Sequence, residues 1–424
     1  MTPVLIVCAL VLLLLLTGLP VAFTLASLGT GLIVLKGLPL ALIPTNLFGS
    51  LNDFVLLAVP LFLLMSNILL RGGVGRDLFV AVQSWVGHWP GGIGVAALLS
   101  CGIFSAISGS SVTTAATVGT VAVPEMTKRG YKPSFTLGLL AAGGTLGILI
   151  PPSVPLIVYG VIAEESIGKL FLAGVGPGLL LITVFGLYAV LSAAFGDNAE
   201  ASPRASRAER VLATRRALPT VLLAVVMLGG IYAGAFTPTE ASAIGATMAL
   251  AITVAQRSLG WTQFLGAVKD SVQTTTVIFL IVVGAKIFGQ AITLYQIPAQ
   301  VAHVFDTHVP GQFGFIVIVS LILLFIGLFL ESMSMLLIMV PVLLPTVMAL
   351  GLDPIWFGVY FVLLIEIALI TPPVGLNLFV IQAIANMPLG VVVKGVVPFV
   401  LMMLGVAALL SIFPQIVLWL PFHL

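Results

Sequence analysis

Long apolar runs separated by short polar segments follow one another along the chain, from Thr2 to Leu420. Since about 20 apolar residues cross a membrane as a helix, the spacing predicts about ten transmembrane helices and two re-entrant helical hairpins. We place the hairpins at about 91–127 and about 311–350. The polar breaks fall near residues 36–53, 71–90, 128–133, 163–169, 196–217, 237–240, 257–270, 303–311, 351–354 and 386–394. The predicted fold class is an all-α polytopic membrane protein.

Composition excludes a soluble protein. The chain is 60% hydrophobic and 7% charged, whereas soluble domains are about 25% charged. A net charge of +2 gives no basis for a nucleic-acid partner. Cys8 and Cys101 are single thiols in apolar runs, and the histidines lack metal-ligand spacing, so we expect neither a disulfide framework nor a transition-metal centre.

Basic residues orient the predicted helices. If the arginine-rich segment 196–217 is cytoplasmic, 13 of the 16 Lys and Arg residues lie inside, while Lys36 and Lys169 lie outside and Lys286 lies in the membrane. This excess follows the positive-inside rule. It predicts a multi-pass protein of a bacterial inner membrane with both termini in the periplasm.

The chain contains an internal repeat at a spacing of 221 residues. Five of the six prolines between residues 124 and 177 then meet a proline in the second half, although proline fills only 26 of 424 positions. The pairs are Pro124 with Pro345, Pro133 with Pro354, Pro151-Pro152 with Pro372-Pro373, and Pro177 with Pro398. The predicted topology places Gly130 inside and Gly351 outside, so the repeats are inverted, as in many secondary transporters.

The centre of the first hairpin is a run of glycine and hydroxyl residues, Ser108–Thr114. Free backbone groups at such a tip are costly in hydrocarbon unless protein, water or an ion satisfies them. Small residues also allow close helix packing, and that reading suits Gly109. The clustered hydroxyls favour an ion site.

The matching tip of the second hairpin is Glu331–Ser334, where Glu331 takes the place of Ser110. A carboxylate at membrane depth is expensive and usually functional. Glu331 could ligate a cation, relay a proton or pair with Lys286, and the sequence leaves these alternatives open.

A glycine- or proline-rich break follows each hairpin, at 143–153 and at 366–377. A Pro-Pro pair removes two helix donors and frees carbonyls one turn earlier. Those carbonyls, with the Thr145, Thr371 and Asn377 oxygens, are hard ligands suited to sodium, and the half-helix N-termini favour an anionic substrate. Glu366 stands where the first repeat has Thr145, and its role stays open.

Together these motifs resemble the large membrane subunit (M subunit, DctM-like) of tripartite ATP-independent periplasmic (TRAP) transporters. The resemblance spans essentially the whole chain. The segments that carry it are Ser108–Thr114 with Pro124-Glu125-Met126, Gly143–Pro155, Leu330–Pro345 and Thr371–Phe379.

The resemblance implies a sodium-coupled importer of a small organic acid, such as a C4-dicarboxylate or sialic acid, and not an enzyme. A periplasmic binding protein (P subunit) would deliver the substrate, and a separate small four-helix membrane subunit (Q subunit) would brace the chain in the lipid bilayer. A transport domain with both hairpins would move like an elevator against a scaffold domain. The resemblance also implies that sodium is the coupling ion, and no cofactor is expected.

The resemblance also assigns site residues, with the substrate between the two tips. The implied sodium ligands are Ser108, Gly109, Ser110, Ser111, Gly143, Thr145, Gly147, Glu331, Ser332, Thr371, Gly375 and Asn377. The implied substrate-binding residues are Ser110, Thr113, Pro152, Ser153, Ser332, Pro373 and Asn377.

The expected domain division follows the repeat. It comprises N-terminal scaffold helices (1–52), repeat 1 (53–195), a cytoplasmic linker (196–217), scaffold helices (218–270) and repeat 2 (271–424). The main alternative is a stand-alone sodium- or proton-coupled carboxylate carrier of similar fold. An intramembrane serine protease would need a histidine base at membrane depth, which the sequence lacks.

Overall fold

The computed structural model describes residues 2–41, 43, 44, 47, 48, 52–195, 202–309 and 311–423, and every regular element in this part is helical. The first half contains α1 Thr2–Leu16, α2 Val21–Leu35, α3 Ala58–Arg71, α4 Val74–Val86, α5 Gly92–Ser108, α6 Ser111–Lys128, α7 Pro133–Leu149, α8 Val154–Ala163 and α9 Ile167–Phe195. The second half contains α10 Arg207–Tyr232, α11 Pro238–Ala255, α12 Trp261–Leu294, α13 Ile297–His308, α14 Gly311–Gly327, α15 Ser332–Ala349, α16 Pro354–Leu369, α17 Leu376–Ala385, α18 Leu389–Ile412 and α19 Gln415–His423. A 3₁₀ turn, Phe54–Leu57, precedes α3.

Local sequence sets many of these helix ends. Prolines stand in the first turn of α7, α8, α11, α13 and α16, where a missing N–H breaks no helical bond. Capping boxes, Ser206 with Glu209 and Thr237 with Glu240, begin α10 and α11.

The 221-residue repeat is visible in the helix order. Helices α6 and α15 begin at Ser111 and Ser332, and α7 and α16 begin at Pro133 and Pro354. The cis peptide bonds Pro151-Pro152 and Pro372-Pro373 occupy equivalent breaks. In chain order α1–α9 are matched by α10–α18, so the repeat also includes the scaffold helices that the prediction left outside it. The paired prolines lie only between residues 124 and 177, and the sequence signal therefore does not reach those helices.

Several segments of the described chain are long and apolar enough to cross a membrane, judged by length and composition. They are Phe54–Arg71, Pro133–Ala163, Ile167–Phe195, Arg207–Tyr232, Trp261–Leu294, Ser332–Ala349 and Leu389–Ile412. Each hairpin (α5–α6 and α14–α15) returns to its starting side, and each broken helix (α7–α8 and α16–α17) crosses once. A repeat therefore crosses the membrane an odd number of times. The second repeat is therefore inverted relative to the first.

The two repeats pack reciprocally. Helix α2 lies along α12, and its counterpart α11 lies along α3. The second hairpin arm of each repeat contacts the short broken helix of the other, since α6 contacts α17 and α15 contacts α8. Each hairpin is thus held against the other half of the chain.

Two predicted domain boundaries do not coincide with the ends of helices. The predicted linker includes residues 207–217, but α10 begins at Arg207 because its Ala, Leu, Arg and Glu residues are good helix formers behind a capping box. The boundary between 270 and 271 falls inside α12, which is unbroken from Trp261 to Leu294. Residues 196–201 of the predicted linker lie outside the described residues.

Candidate functional site

The first hairpin tip is a tight turn between α5 and α6. Gly109 has φ +59°, and a Cβ on it would lie 2.5 Å from the carbonyl oxygen of Pro152, so only glycine fits. Ser110 caps α6, its hydroxyl accepting from the Thr113 N–H at 3.4 Å. Ser108 and Thr114 join their hydroxyls at 2.8 Å. The tip therefore presents hydroxyls and free N–H groups beside the first break.

The second tip begins α15 with a carboxylate. Glu331 is exposed, and its Oε1 accepts from the Ser334 N–H at 2.9 Å and the Ser334 hydroxyl at 3.1 Å. A carboxylate in this position is stabilised by the helix N-terminus. Glu331 forms no ion pair with Lys286 among the described residues, so the pairing considered from sequence is not the arrangement found.

The two breaks have unequal surroundings. Ser153 caps α8 after the Pro151-Pro152 bond and is fully buried. Pro372, Pro373 and Val374 of the second break are exposed. The Thr371 hydroxyl donates to its own helix at the Ile367 carbonyl, 2.6 Å away. The structure therefore encloses one break and leaves the equivalent one open.

Both tips and both breaks meet at a cavity of about 230 Å³. Its wall on the hairpin side comprises Gly109, Ser110, Ser111, Val112, Glu331, Ser332 and Met333. The breaks contribute Ile148, Val154, Pro155, Leu369 and Leu376. The opposite wall belongs to α3 and α12, through Leu63, Thr274, Val277, Ile278 and Ile281.

The electrostatic character of the cavity comes from helix ends. The N-termini of α6, α8, α15 and α17 all reach the lining. Among its lining residues Glu331 is the ionisable one, and none carries a positive side chain. Free N–H groups and partial positive charge at helix N-termini stabilise anions.

Glycines of α7 let the first tip lie directly on that helix. A Cβ on Gly147 would be 2.5 Å from the Ser110 carbonyl oxygen, and one on Gly144 would be 3.1 Å from the Ser111 carbonyl oxygen. Any larger residue would push the α6 N-terminus away. The Gly-Gly-Thr-Leu-Gly stretch therefore fixes where the tip hydroxyls stand.

A second polar cluster extends from the lining residue Ser111 to Glu366 and Asn377, which lie behind this tip and outside the cavity lining. The Ser111 hydroxyl donates to Glu366 Oε1 at 2.6 Å. The Asn377 side-chain N–H group donates to the Ala141 carbonyl at 3.5 Å. Glu366 and Asn377 are 1% and 0% exposed. Asn377, assigned by resemblance to the second sodium site, thus contacts a helix of the first repeat.

The structure brings together only part of the predicted set. Gly109, Ser110, Ser111, Glu331 and Ser332 line the cavity. The predicted residues outside its lining are Ser108, Thr113, Gly143, Thr145, Gly147, Pro152, Ser153, Thr371, Pro373, Gly375 and Asn377.

Two predicted residues of α7 face other helices. The Thr145 hydroxyl donates to its own helix at the Ala142 carbonyl and lies 4.0 Å from Met403 Sδ on α18. The Cβ position of Gly143 is 3.0 Å from Cys101 Sγ on α5. Neither residue lines the cavity.

Sequence reasoning missed the α12 wall and the partner of Glu366. The polar run Gln273–Thr276 inside an apolar helix was a usable signal for Thr274. The contact between Ser111 and Glu366 joins residues 255 positions apart. No local pattern could reveal it.

The family model described as "Tripartite ATP-independent periplasmic transporter, DctM component" matches residues 7–416. The chain belongs to this family. The resemblance drawn from the motifs is thereby confirmed, and this TRAP permease is a component of a membrane transporter, not an enzyme. TRAP large permeases in general work with a small membrane subunit and a periplasmic binding protein.

Relatives with assigned names align with nearly the whole length of this TRAP permease. It is 39% identical to the C4-dicarboxylate TRAP transporter large permease protein DctM of Pseudomonas aeruginosa, over 89% of this chain and 88% of that protein. It is 35% identical to the sialic acid TRAP transporter large permease protein SiaM of Vibrio cholerae, over 96% of each. It is 37% identical to the ectoine/5-hydroxyectoine TRAP transporter large permease protein UehC of Ruegeria pomeroyi, over 88% of each.

Among solved structures, that of the Alcanivorax borkumensis YdaH transporter aligns with a TM-score of 0.60 over 89% of both chains. The sequence identity is 14%, so this likeness concerns the fold alone. It agrees with the all-helical, multi-span architecture.

Proposed function

We propose that this TRAP permease imports a small organic acid, of the C4-dicarboxylate or sialic-acid type, together with sodium. A periplasmic binding protein delivers the substrate, and a separate small membrane subunit supports the chain in a bacterial inner membrane. The substrate occupies the cavity between the two hairpin tips. Both termini lie in the periplasm, as the charge bias predicts.

The observation that carries this proposal is the meeting of four helix N-termini at one cavity. At α6, α8 and α17 an anion is stabilised by free N–H groups and partial positive charge, without an arginine or lysine, whereas the Glu331 carboxylate already occupies the N-terminus of α15. Apolar side chains such as Leu63, Ile148 and Val277 complete the lining. This combination suits a carboxylate joined to a small organic body.

The proposed sodium sites flank the substrate. The first uses the tip Ser108–Ser111 and the α7 stretch Gly143–Gly147. The 2.5 Å approach of the Ser110 oxygen to the Gly147 Cβ position brings the two backbones close enough to share one ion. The second uses Glu331 and Ser332 with the break Thr371–Asn377, whose freed carbonyls and hydroxyl are hard ligands.

Elevator movement is supported by the two walls of the cavity. The hairpin wall carries the polar residues Ser110, Ser111, Glu331 and Ser332 beside Val112 and Met333, whereas the α3–α12 wall is apolar apart from Thr274. Apolar contacts are non-directional, so one wall can slide past the other without breaking a fixed hydrogen-bond pattern. The buried first break and exposed second break agree with a state open toward one side.

Reconstitution with and without partners tests the tripartite proposal. We expect the small membrane subunit to co-purify with the chain, and uptake into liposomes to require both that subunit and the binding protein. Uptake by this chain alone would favour the stand-alone carboxylate carrier. Reporter fusions at each terminus check the orientation, and a cytoplasmic terminus would refute it.

A further inference from the structure

Arg210, in the first turn of α10, is a half-buried arginine whose guanidinium group has buried donors without acceptors. Its Nε and Nη2 atoms are both buried, and neither has a hydrogen-bond partner among the described residues. The ion pairs in that part of the chain are Arg71 with Asp270 and Arg129 with Glu125, so no carboxylate there pairs with Arg210. Buried polar atoms without partners are rare and need an explanation. An external acceptor with negative charge would provide one.

The geometry of the guanidinium group selects the kind of acceptor. Nε and Nη2 lie on one edge of the guanidinium plane, and their parallel N–H bonds match two oxygens of a single oxyanion. The face of the group lies over the Trp85 ring, with Cζ 5.3 Å from the ring centroid. Trp85 is itself held, because its Nε1 donates to the Thr214 hydroxyl at 3.0 Å. Stacking thus fixes the plane and leaves this edge for a ligand.

Two more buried polar atoms without partners occur at the end of α4. The segment that leads into α10 is attached there, since the Ser202 N–H donates to the Gly87 carbonyl at 3.0 Å. The Ser202 hydroxyl and Nδ1 of the adjacent His88 have no hydrogen-bond partner within the described ranges. A hydroxyl and an imidazole N–H can each donate to an oxyanion. Arg210 contacts Trp85 and Ser202 contacts Gly87, so these groups border one short stretch of chain.

This stretch lies at the depth of lipid headgroups. The side chains of Val211 and Leu212, directly after Arg210, are apolar and exposed, as expected where a helix enters hydrocarbon. Trp85 and Trp89 are exposed as well, which is typical of the aromatic belt at a membrane interface. Phosphate groups of phospholipids lie at this depth.

The charge around Arg210 also favours an anion. Exposed arginines surround it on the same segment, at Arg204, Arg207, Arg215 and Arg216. The acidic residue between residues 202 and 216 is Glu209, whose Oε2 already accepts from the Ser206 N–H at 2.7 Å. Basic clusters next to a membrane helix attract anionic phospholipids.

We propose that Arg210, with Ser202 and His88, binds a phosphate group where the end of α4 meets the start of α10. The same chemistry is offered by the headgroup of an anionic phospholipid and by free phosphate. Since α4 packs against both helices of the first hairpin, a phosphate at this place holds α4 on α10 and supports the hairpin from outside. The proposal does not depend on sodium coupling or on the transported substrate.

The first test compares two sources of phosphate on the full chain with its small membrane subunit, purified in detergent and stripped of lipid. The Tm is measured after addition of dioleoylphosphatidylglycerol or of inorganic phosphate. A rise with phosphatidylglycerol assigns the site to a lipid headgroup, and a rise with inorganic phosphate alone assigns it to free phosphate. No rise with either would overturn the proposal.

The second test assigns the binding to Arg210, with bound phosphatidylglycerol counted by native mass spectrometry. Arg210→Gln should weaken binding about tenfold or more, because it removes charge-assisted hydrogen bonds. Arg210→Lys keeps the charge without the paired N–H edge and should also weaken binding. Arg216→Gln is the matched control, since it removes an exposed positive charge from the same helix and should leave binding nearly unchanged.

Three results would contradict the assignment. Wild-type binding in both Arg210 variants would show that the guanidinium edge holds no ligand. An equal loss in Arg216→Gln would reduce the effect to general attraction between charges. Oleate, which carries a carboxylate and no phosphate, should not replace phosphatidylglycerol, and equal stabilisation by oleate through Arg210 would overturn the choice of phosphate.

Discussion

The close packing of the first hairpin tip against α7 gives the most specific mutational prediction. Gly147→Ala places a methyl group 2.5 Å from the Ser110 carbonyl oxygen, 2.6 Å from its carbonyl carbon and 2.8 Å from the Ser111 nitrogen. All three atoms belong to the backbone, so no side chain can rotate away. Ordinary contact begins at 3.4 Å, so the tip must move by about 0.9 Å, or α7 must bend.

This movement should weaken sodium binding more than it lowers the stability of the fold. Overpacking of a filled interior costs about 1–3 kcal/mol, which the folded chain can tolerate. In enzymes, a misplacement of catalytic groups by about 1 Å lowers the rate about 100-fold. Because sodium binding also depends on the position of its ligands, we expect sodium affinity at the tip to fall at least about tenfold. The variant should therefore assemble with the small subunit yet require much more sodium.

Sodium titration of uptake in liposomes, with Tm measured on the same preparations, checks this prediction. Gly405→Ala on α18 is the matched control, because a Cβ there meets no atom within 4 Å. The control should keep the wild-type sodium curve. If Gly147→Ala also keeps it, the first tip does not hold sodium against α7 and the reasoning fails.

Further predictions concern the tips and the scaffold. Ser110→Ala and Thr371→Ala should each weaken sodium-dependent uptake while leaving assembly intact, and unchanged sodium dependence in both would count against the proposed sites. Glu331→Ala should lower stability by about 1 kcal/mol through loss of a helix cap, whereas Glu331→Gln keeps an acceptor and should lose less, as Tm measurements would show. Equal losses would refute the capping role. Arg71→Gln breaks the pair with Asp270. Because these side chains are 35% and 48% exposed, the free energy of unfolding should fall by less than about 1 kcal/mol, which a small shift in Tm would show. A large fall would show that this pair holds α3 to α12.

The features predicted from sequence are those with local markers. Prolines and glycines fix backbone breaks, and the aligned pairs therefore marked positions in α6, α7, α15 and α16 together with both Pro-Pro breaks, which the structure shows to be cis. The start of α10 also has a local marker, since Ser206 and Glu209 form a capping box in front of good helix formers.

What the sequence could not provide depends on packing between distant segments. The pairing of Ser111 with Glu366, and the contact of Asn377 with Ala141, each join the two halves of the chain. The α3–α12 wall of the cavity exists only because α12 lies beside α3 and α2. These contacts follow from the reciprocal packing of the repeats, which has no counterpart in local periodicity.

The central claim is sodium-driven uptake of an organic acid through the cavity between the two tips. The most direct test is uptake of radiolabelled C4-dicarboxylate and sialic acid into liposomes that contain this chain, its small membrane subunit and the binding protein, under an inward sodium gradient. We predict accumulation of one of these acids that disappears when potassium replaces sodium. Accumulation that persists without sodium, or that follows only a proton gradient, would contradict this account.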